Sequence, residues 1–149
     1  MNPNRDTEAA KKIEREAAWR VELITGRRVA LMPDKYSPFD WTISKVDPDG
    51  VAMLEYLAEF RNRPDITINT YPTIVIDVDK VVKVVRQSEL MVLSAPLFVL
   101  QVQDGSLWRA PLSTEYKIWK NYQRNQEDLP SDGPKDVYLV PRGKFRPFR

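Results

Sequence analysis

The stretch Asp47-Pro48-Asp49-Gly50 constrains this chain most. Proline presets φ for one position of a tight turn, and glycine accepts the positive φ that another position needs. The flanking runs, 41–46 (WTISKV) and 51–61 (VAMLEYLAEFR), read as two strands of a hairpin. Side chains alternate along a strand, which predicts one shared face for Glu55, Leu57, Glu59 and Arg61. Asp40 opens the first strand. Hairpin pairing brings it to the far end of the second, beside Glu59 and Arg61.

Two carboxylates converging at a strand end suit Mg²⁺, a hard cation that takes oxygen ligands and retains some waters. A neighbouring cation can orient an attacking water, a combination fitted to phosphodiester hydrolysis. The same residues also fit a plain solvated strand face, and the residues alone leave both readings open.

The rest of the composition narrows the chemistry. The chain has 149 residues with no histidine and no cysteine. Disulfides, Cys or His metal sites, Ser-His-Asp triads and histidine acid–base catalysis are excluded together. Hydrolysis must rely on carboxylates, Lys, Arg, Tyr, or a metal held by oxygen. The length suits a single domain with a sizeable core. No apolar run is long enough to span a bilayer, and the polar start MNPNRDTEAAKK lacks a signal-peptide core, so a cytoplasmic protein without a membrane partner is expected. Net charge is only +2, so a nucleic-acid surface requires local asymmetry. The C-terminal run VPRGKFRPFR supplies some, with Arg142, Lys144 and Arg146 as candidate phosphate contacts.

In chain order, residues 1–5 are expected to fray. Asp6 or Thr7 caps a helix to about Thr25, with Gly26 ending it. Ile13, Ala17, Val21 and Ile24 follow the helical period toward a core, and Glu14 borders that stripe. Glu14 is also readable as a solvated partner of Lys11 or Arg15, and Glu16 and Glu22 are alternatives for a site-facing residue. Residues 27–31 form a short strand or an extended linker. Residues 62–70 leave the sheet edge as a loop beside the site. A third strand covers 71–76. A helix capped by Asp77 or Asp79 runs to about Leu90, its apolar face made by Val78, Val81, Val82 and Val85, with Lys80 near another face. Gln103-Asp104-Gly105 between LFVLQV and SLWRAPL predicts a hairpin. Residues 114–126 read as an amphipathic helical segment, with Tyr116, Trp119 and Tyr122 more often core contacts at that spacing than base-stacking platforms. A loop at 127–134 precedes a last strand at 136–140 and the basic tail.

The order of a helix carrying a Glu, then SPFDWTI, then LAEFRNR resembles the PD-(D/E)XK, or restriction-endonuclease-like, nuclease superfamily, in particular its small phage-encoded members. SPFDWTI matches the Asp element and LAEFRNR the Glu-x-Lys element, with Arg61 standing where the family has lysine. The resemblance covers roughly residues 8–112 in element order. It implies an α/β (α+β) fold, a mixed central β-sheet of four or five strands flanked by helices, in one nuclease-like domain. It also implies Mg²⁺ (or Mn²⁺) held by Asp40, Glu59 and the Phe60 backbone carbonyl (or that of Ala58), with Glu14 assisting and Arg61 contacting the phosphate or the water. DNA is then the expected partner, with Arg61 and Lys80 on its backbone, in a host cytoplasm for a phage-encoded protein; a homodimer is left open. The expected function is metal-dependent DNA cleavage. The alternative is a nuclease-like fold that no longer cuts and binds nucleic acid or protein. Arg61 favours the alternative, because arginine stays charged and cannot act as a base.

Overall fold

Thr7 caps the first helix, its Oγ1 accepting the Ala10 N–H at 3.0 Å. Such a cap contributes about 1 kcal/mol by satisfying a helix-end donor. Helix α1 (Glu8–Thr25) ends where Gly26 takes a left-handed conformation at φ 70°. Its inward face is Ala17, Ala18 and Val21, with Ile13 packed beside it. Ile24 stays outside the core at 38% exposed, because the stripe drifts around the helix and Ala18 takes the core position instead. The computed structural model describes residues 7–34, 36–123 and 134–149. The expected fraying of 1–5, Asp6 as a cap, and the loop of 127–134 short of Pro134 lie outside those residues.

The chain continues through β1 (Arg28–Leu31), β2 (Trp41–Val46) and β3 (Ala52–Arg63), which pair antiparallel in sequence order. The Asp47–Gly50 turn closes the β2–β3 hairpin, with Gly50 at φ 83° and its N–H donated to the Asp47 carbonyl. β4 (Thr73–Asp77) and α2 (Val78–Leu90) follow, and β5 (Leu97–Val102) then lies parallel to β3. A parallel neighbour requires such a long crossover. β6 (Leu107–Pro111) pairs back on β5 through the expected Asp-Gly hairpin, Gly105 at φ 81°.

The expected mixed α/β architecture is present, with one helix on each face of a central mixed sheet. The sheet has six strands rather than four or five, in the order β1-β2-β3-β5-β6-β9. β9 (Arg146–Pro147) belongs to the segment read as a basic tail. After β8 (Lys135–Pro141) and a 3-10 turn at Arg142–Lys144, that segment inserts Phe145 into the core, 3% exposed and edge-on to Phe98. The apolar residues between its basic ones anchor it.

β4 leaves the central sheet. It joins β8 and β7 (Lys117–Tyr122) in a second sheet ordered β4-β8-β7. The helical reading of 114–126 is therefore corrected for its described residues: β7 is an edge strand with nearly all its side chains exposed. With both faces largely solvated and, among the described residues, no strand on its outer side, the three-residue spacing of the aromatics carries no helical information. β-branched Val content likewise misplaced part of α2's core face, which buries Val81 and Val84, with Val82 outside it.

Two apolar layers flank the central sheet. On one side α1 covers Trp41, Ile43, Ala58, Phe60 and Val99. On the other, α2 and the small sheet cover Leu57, Phe98 and Leu100. Among the described residues no helix is long and apolar enough to cross a membrane.

Candidate active site

The placement of the charged residues follows from what β2 and β3 bury. Trp41 and Phe60 stack beneath α1, ring centroids 5.1 Å apart at 15°. Together with Ala58 they hold the register, since a one-residue slip would turn every side chain over. Alternation then sends Leu57, Glu59 and Arg61 to the α2 side. Glu55 does not share that face as strict alternation predicts. The pairing shifts between Ile43 and Ser44, opposite Tyr56 and Leu54, so Glu55 is the extra residue of a bulge. It pairs instead with Arg27 at 2.6 Å and Lys45 at 3.0 Å. The Arg27 hydrogen bond leads the effects that lower its pKa.

Asp40 and Glu59 do converge. The Asp40 N–H bonds the Ala58 carbonyl at 2.9 Å, and Asp40 Oδ2 accepts the Phe60 N–H at 2.9 Å. Glu59 is 3% exposed, and its carboxyl lies close enough to Asp40 for the Asp40 charge to act on it. Its Oε2 is buried without a hydrogen-bond partner. Burial, reinforced by the neighbouring Asp40 charge, pushes the Glu59 carboxyl up to about 8, against the opposing charges of Arg61 and Lys80. Two carboxyls this close share a proton or a cation.

Arg61 stands over the pair. Nη1 donates to the Phe60 carbonyl at 2.6 Å and lies 3.5 Å from Asp40 Oδ2, while Nη2 lies 3.4 Å from Glu59 Oε2. The guanidinium thus meets the three oxygens expected to ligate a metal. Burial disfavours its charge, but Glu59, Asp40, Asp77 and Glu14 together hold its pKa above the usual arginine value.

Glu14 reaches this cluster from α1. The Trp41 indole N–H donates to Glu14 Oε2 at 3.3 Å. Burial and the Asp40 charge raise its pKa, against the Trp41 hydrogen bond and Arg61. The alternatives turn away: Glu22 Oε1 accepts the Val29 N–H at 2.8 Å, tying α1 to β1, and Glu16 is exposed. Lys80, in the first turn of α2, lies close enough to oppose the rise in the Glu59 pKa.

Asp77 is a site residue that sequence reasoning missed. The sequence offers it as a possible helix cap, yet its side chain makes no capping bond. It is 5% exposed, its charge supports Arg61, and Lys135 Nζ lies 3.8 Å from its Oδ2. An Asp at a strand-to-helix junction is commonly a cap, so only the tertiary placement separates the two roles. Arg142, Lys144 and Arg146 are not brought to the site. Arg146 faces Arg109 in register, three strands from Phe60 and so roughly 14 Å across the sheet. The Arg142 guanidinium reaches the Asn69 carbonyl at 3.4 Å, and Lys144 is exposed. The loop expected beside the site starts later than read, since β3 runs to Arg63, and it is partly anchored by buried Ile66.

Among the described residues no three carboxylates converge as a self-sufficient metal cage. Asp40, Glu59 and the Phe60 carbonyl offer a smaller oxygen set, of the kind Mg²⁺ supplements with water. A cavity of about 270 Å³ lies on the α1 side, lined by Val21, Tyr56, Arg109 and Phe148 among others, and shares no lining residue with this cluster. Comparison of the chain with protein-family models, with curated proteins and with solved structures gives no match.

Proposed function

We propose that this protein is a metal-dependent nuclease of the restriction-endonuclease-like type, acting on DNA phosphodiesters at the Asp40–Glu59 edge. The observation that carries the reading is the buried Glu59 Oε2 beside Asp40, which accepts no hydrogen bond. A buried carboxylate oxygen that accepts no hydrogen bond is costly, and with Arg61 Nη2 3.4 Å away but not aligned to donate, a hard cation suits its chemistry. Support also comes from element order: a helix presenting Glu14, a strand opened by Asp40, a strand carrying Glu59-x-Arg61, then helix and a further strand pair.

Asp40, Glu59 and the Phe60 carbonyl would hold Mg²⁺ or Mn²⁺. The cation supplies Lewis-acid polarisation of the phosphate and a more acidic water. Arg61 stabilises negative charge developing on the phosphate, and it takes no proton because it stays cationic. Glu14, held by Trp41, contributes negative charge at the rim. Lys80 balances the carboxylates from the α2 side.

The contacts of Arg61 favour a second reading. Its guanidinium touches the oxygens a cation needs, so guanidinium and cation compete. If the guanidinium prevails, the fold binds nucleic acid or protein without cutting. The deciding experiment measures cleavage of linear duplex, single-stranded and branched DNA with Mg²⁺ or Mn²⁺, using wild type and Arg61→Lys. Metal-dependent cleavage by wild type supports the nuclease. Cleavage by neither protein overturns it.

A further inference from the structure

The small sheet carries an aromatic and basic face that the Asp40–Glu59 site does not use. β7 is KIWKNY, with two lysines and no acid. Trp119 is 54% exposed. Residues 119 and 122 would ordinarily point to opposite faces, three positions apart. Here the pairing with β8 shifts between them, and Asn121 takes φ 54°. The Asn121 N–H donates to Asp136 Oδ1 at 3.0 Å, holding the bulge. The bulge brings the Trp119 and Tyr122 rings together, centroids 5.2 Å apart at 70°. Bulges commonly re-aim side chains in this way.

The register connects this pair to the site. Trp119 lies opposite Val137, and Val137 opposite Asp77, one row across the three strands. At the usual strand spacing Trp119 stands about 10 Å from Asp77 along that row. Tyr122 lies opposite Lys135, whose ammonium reaches Asp77 at 3.8 Å. Arg63, two residues beyond Arg61 on β3, lies near Tyr122 and Tyr71.

We propose that this face is a docking strip for single-stranded polynucleotide, its bases stacking on Trp119 and Tyr122 and its phosphates on Lys117 and Lys135. Stacking on an exposed ring requires a base outside a duplex, which selects a single strand. The lysines argue against a protein partner, because lysine is depleted in protein–protein interfaces. Joined to the proposed nuclease reading, on which this step rests, the strip leads an unpaired strand toward the carboxylates.

The test is binding of a fluorescein-labelled oligo-dT in EDTA, followed by anisotropy, so that no cleavage enters. Trp119→Ala should weaken binding about 5- to 150-fold, the range for loss of one stacked base. Trp119→Phe should retain most of the affinity. Trp19→Ala, which removes another exposed indole on α1, should leave it unchanged. Lys117→Ala should lower the salt slope by about 0.7. Melting temperatures of all variants serve as the folding control, and Trp119→Phe with Lys117→Ala carries the test if Trp119→Ala misfolds. Unchanged oligo-dT affinity in Trp119→Ala overturns the proposal, as does equal loss on a blunt duplex. If the Trp119 effect holds and wild type never cleaves, the nuclease reading fails and the strip stands. If wild type cleaves and Trp119→Ala binds normally, the strip fails alone.

Discussion

Arg61 Nη2 stands 3.4 Å from Glu59 Oε2, yet that oxygen accepts no hydrogen bond. The pair is held by charge proximity without the alignment that makes arginine–carboxylate contacts strong. Arg61→Lys should therefore bind Mg²⁺ more tightly than wild type and cleave at least as well, because a single ammonium cannot cover all three oxygens. Arg61→Met should lose cleavage by about 10²-fold or more, as loss of a charge-stabilising donor does. Mg²⁺ titration monitored by calorimetry, with cleavage rates alongside, checks both. Unchanged cleavage in Arg61→Met would shift the cationic role to Lys80.

Asp40 also has a structural duty that the hairpin pattern did not reveal. It accepts the Phe60 N–H at 2.9 Å next to the Trp41–Phe60 stack. Asp40→Ala therefore bears on the fold as well as on the site. That change should abolish cleavage and also destabilise by about 1–3 kcal/mol, the cost of orphaning a buried donor. Asp40→Asn keeps an acceptor, so it should lose cleavage with most stability retained. Urea unfolding of both variants, beside activity, separates the two roles.

The raised carboxyl of Glu59 sets the pH dependence of the metal-free protein. Its pKa rises from 4.5 to about 8 on folding. Between those values the native state holds more protons than the unfolded state, so stability falls as pH rises through that window. One group contributes at most about 1.4 kcal/mol per pH unit. The melting temperature in EDTA should drop from pH 5 to pH 8.5. Glu59→Gln should remove most of that slope, leaving a smaller part from Glu14, whose pKa is raised in the same sense. Mg²⁺ should stabilise wild type more at pH 8.5 than at pH 6, because it binds the deprotonated pair. A slope identical in Glu59→Gln would exclude Glu59 as its source.

Removing residues 142–149 should unfold the protein rather than merely weaken DNA binding. The deletion takes Phe145 from the core and β9 from the sheet edge. Loss of a buried phenylalanine side chain alone costs about 3–5 kcal/mol. Phe145→Ala should reproduce much of the destabilisation in a thermal melt. Lys144→Ala should leave the melt unchanged and report any phosphate contact through a lower salt slope in DNA binding.

The local elements were legible because their signals are local. Thr7 and Gly26 bound α1, Asp47–Gly50 closes one hairpin, and Asp104-Gly105 closes another, each through backbone geometry that few residues permit. The meeting of Asp40 with Glu59 and Arg61 followed from pairing across a short turn. What lay beyond the chain's own pattern was decided by distant partners. Strand β4 could have joined either sheet, since its Ile-Val alternation suits any buried neighbour, and β8 from the far end of the chain claimed it. The spacing of Trp119 and Tyr122 fits a helix turn as well as a bulged strand, and pairing with β8 chose the strand. Asp77 looks like a cap until the fold carries Arg61 and Lys135 to it. Turn chemistry acts within a few residues, whereas sheet membership and charge clustering depend on which strands meet, and only the packed tertiary structure decides that.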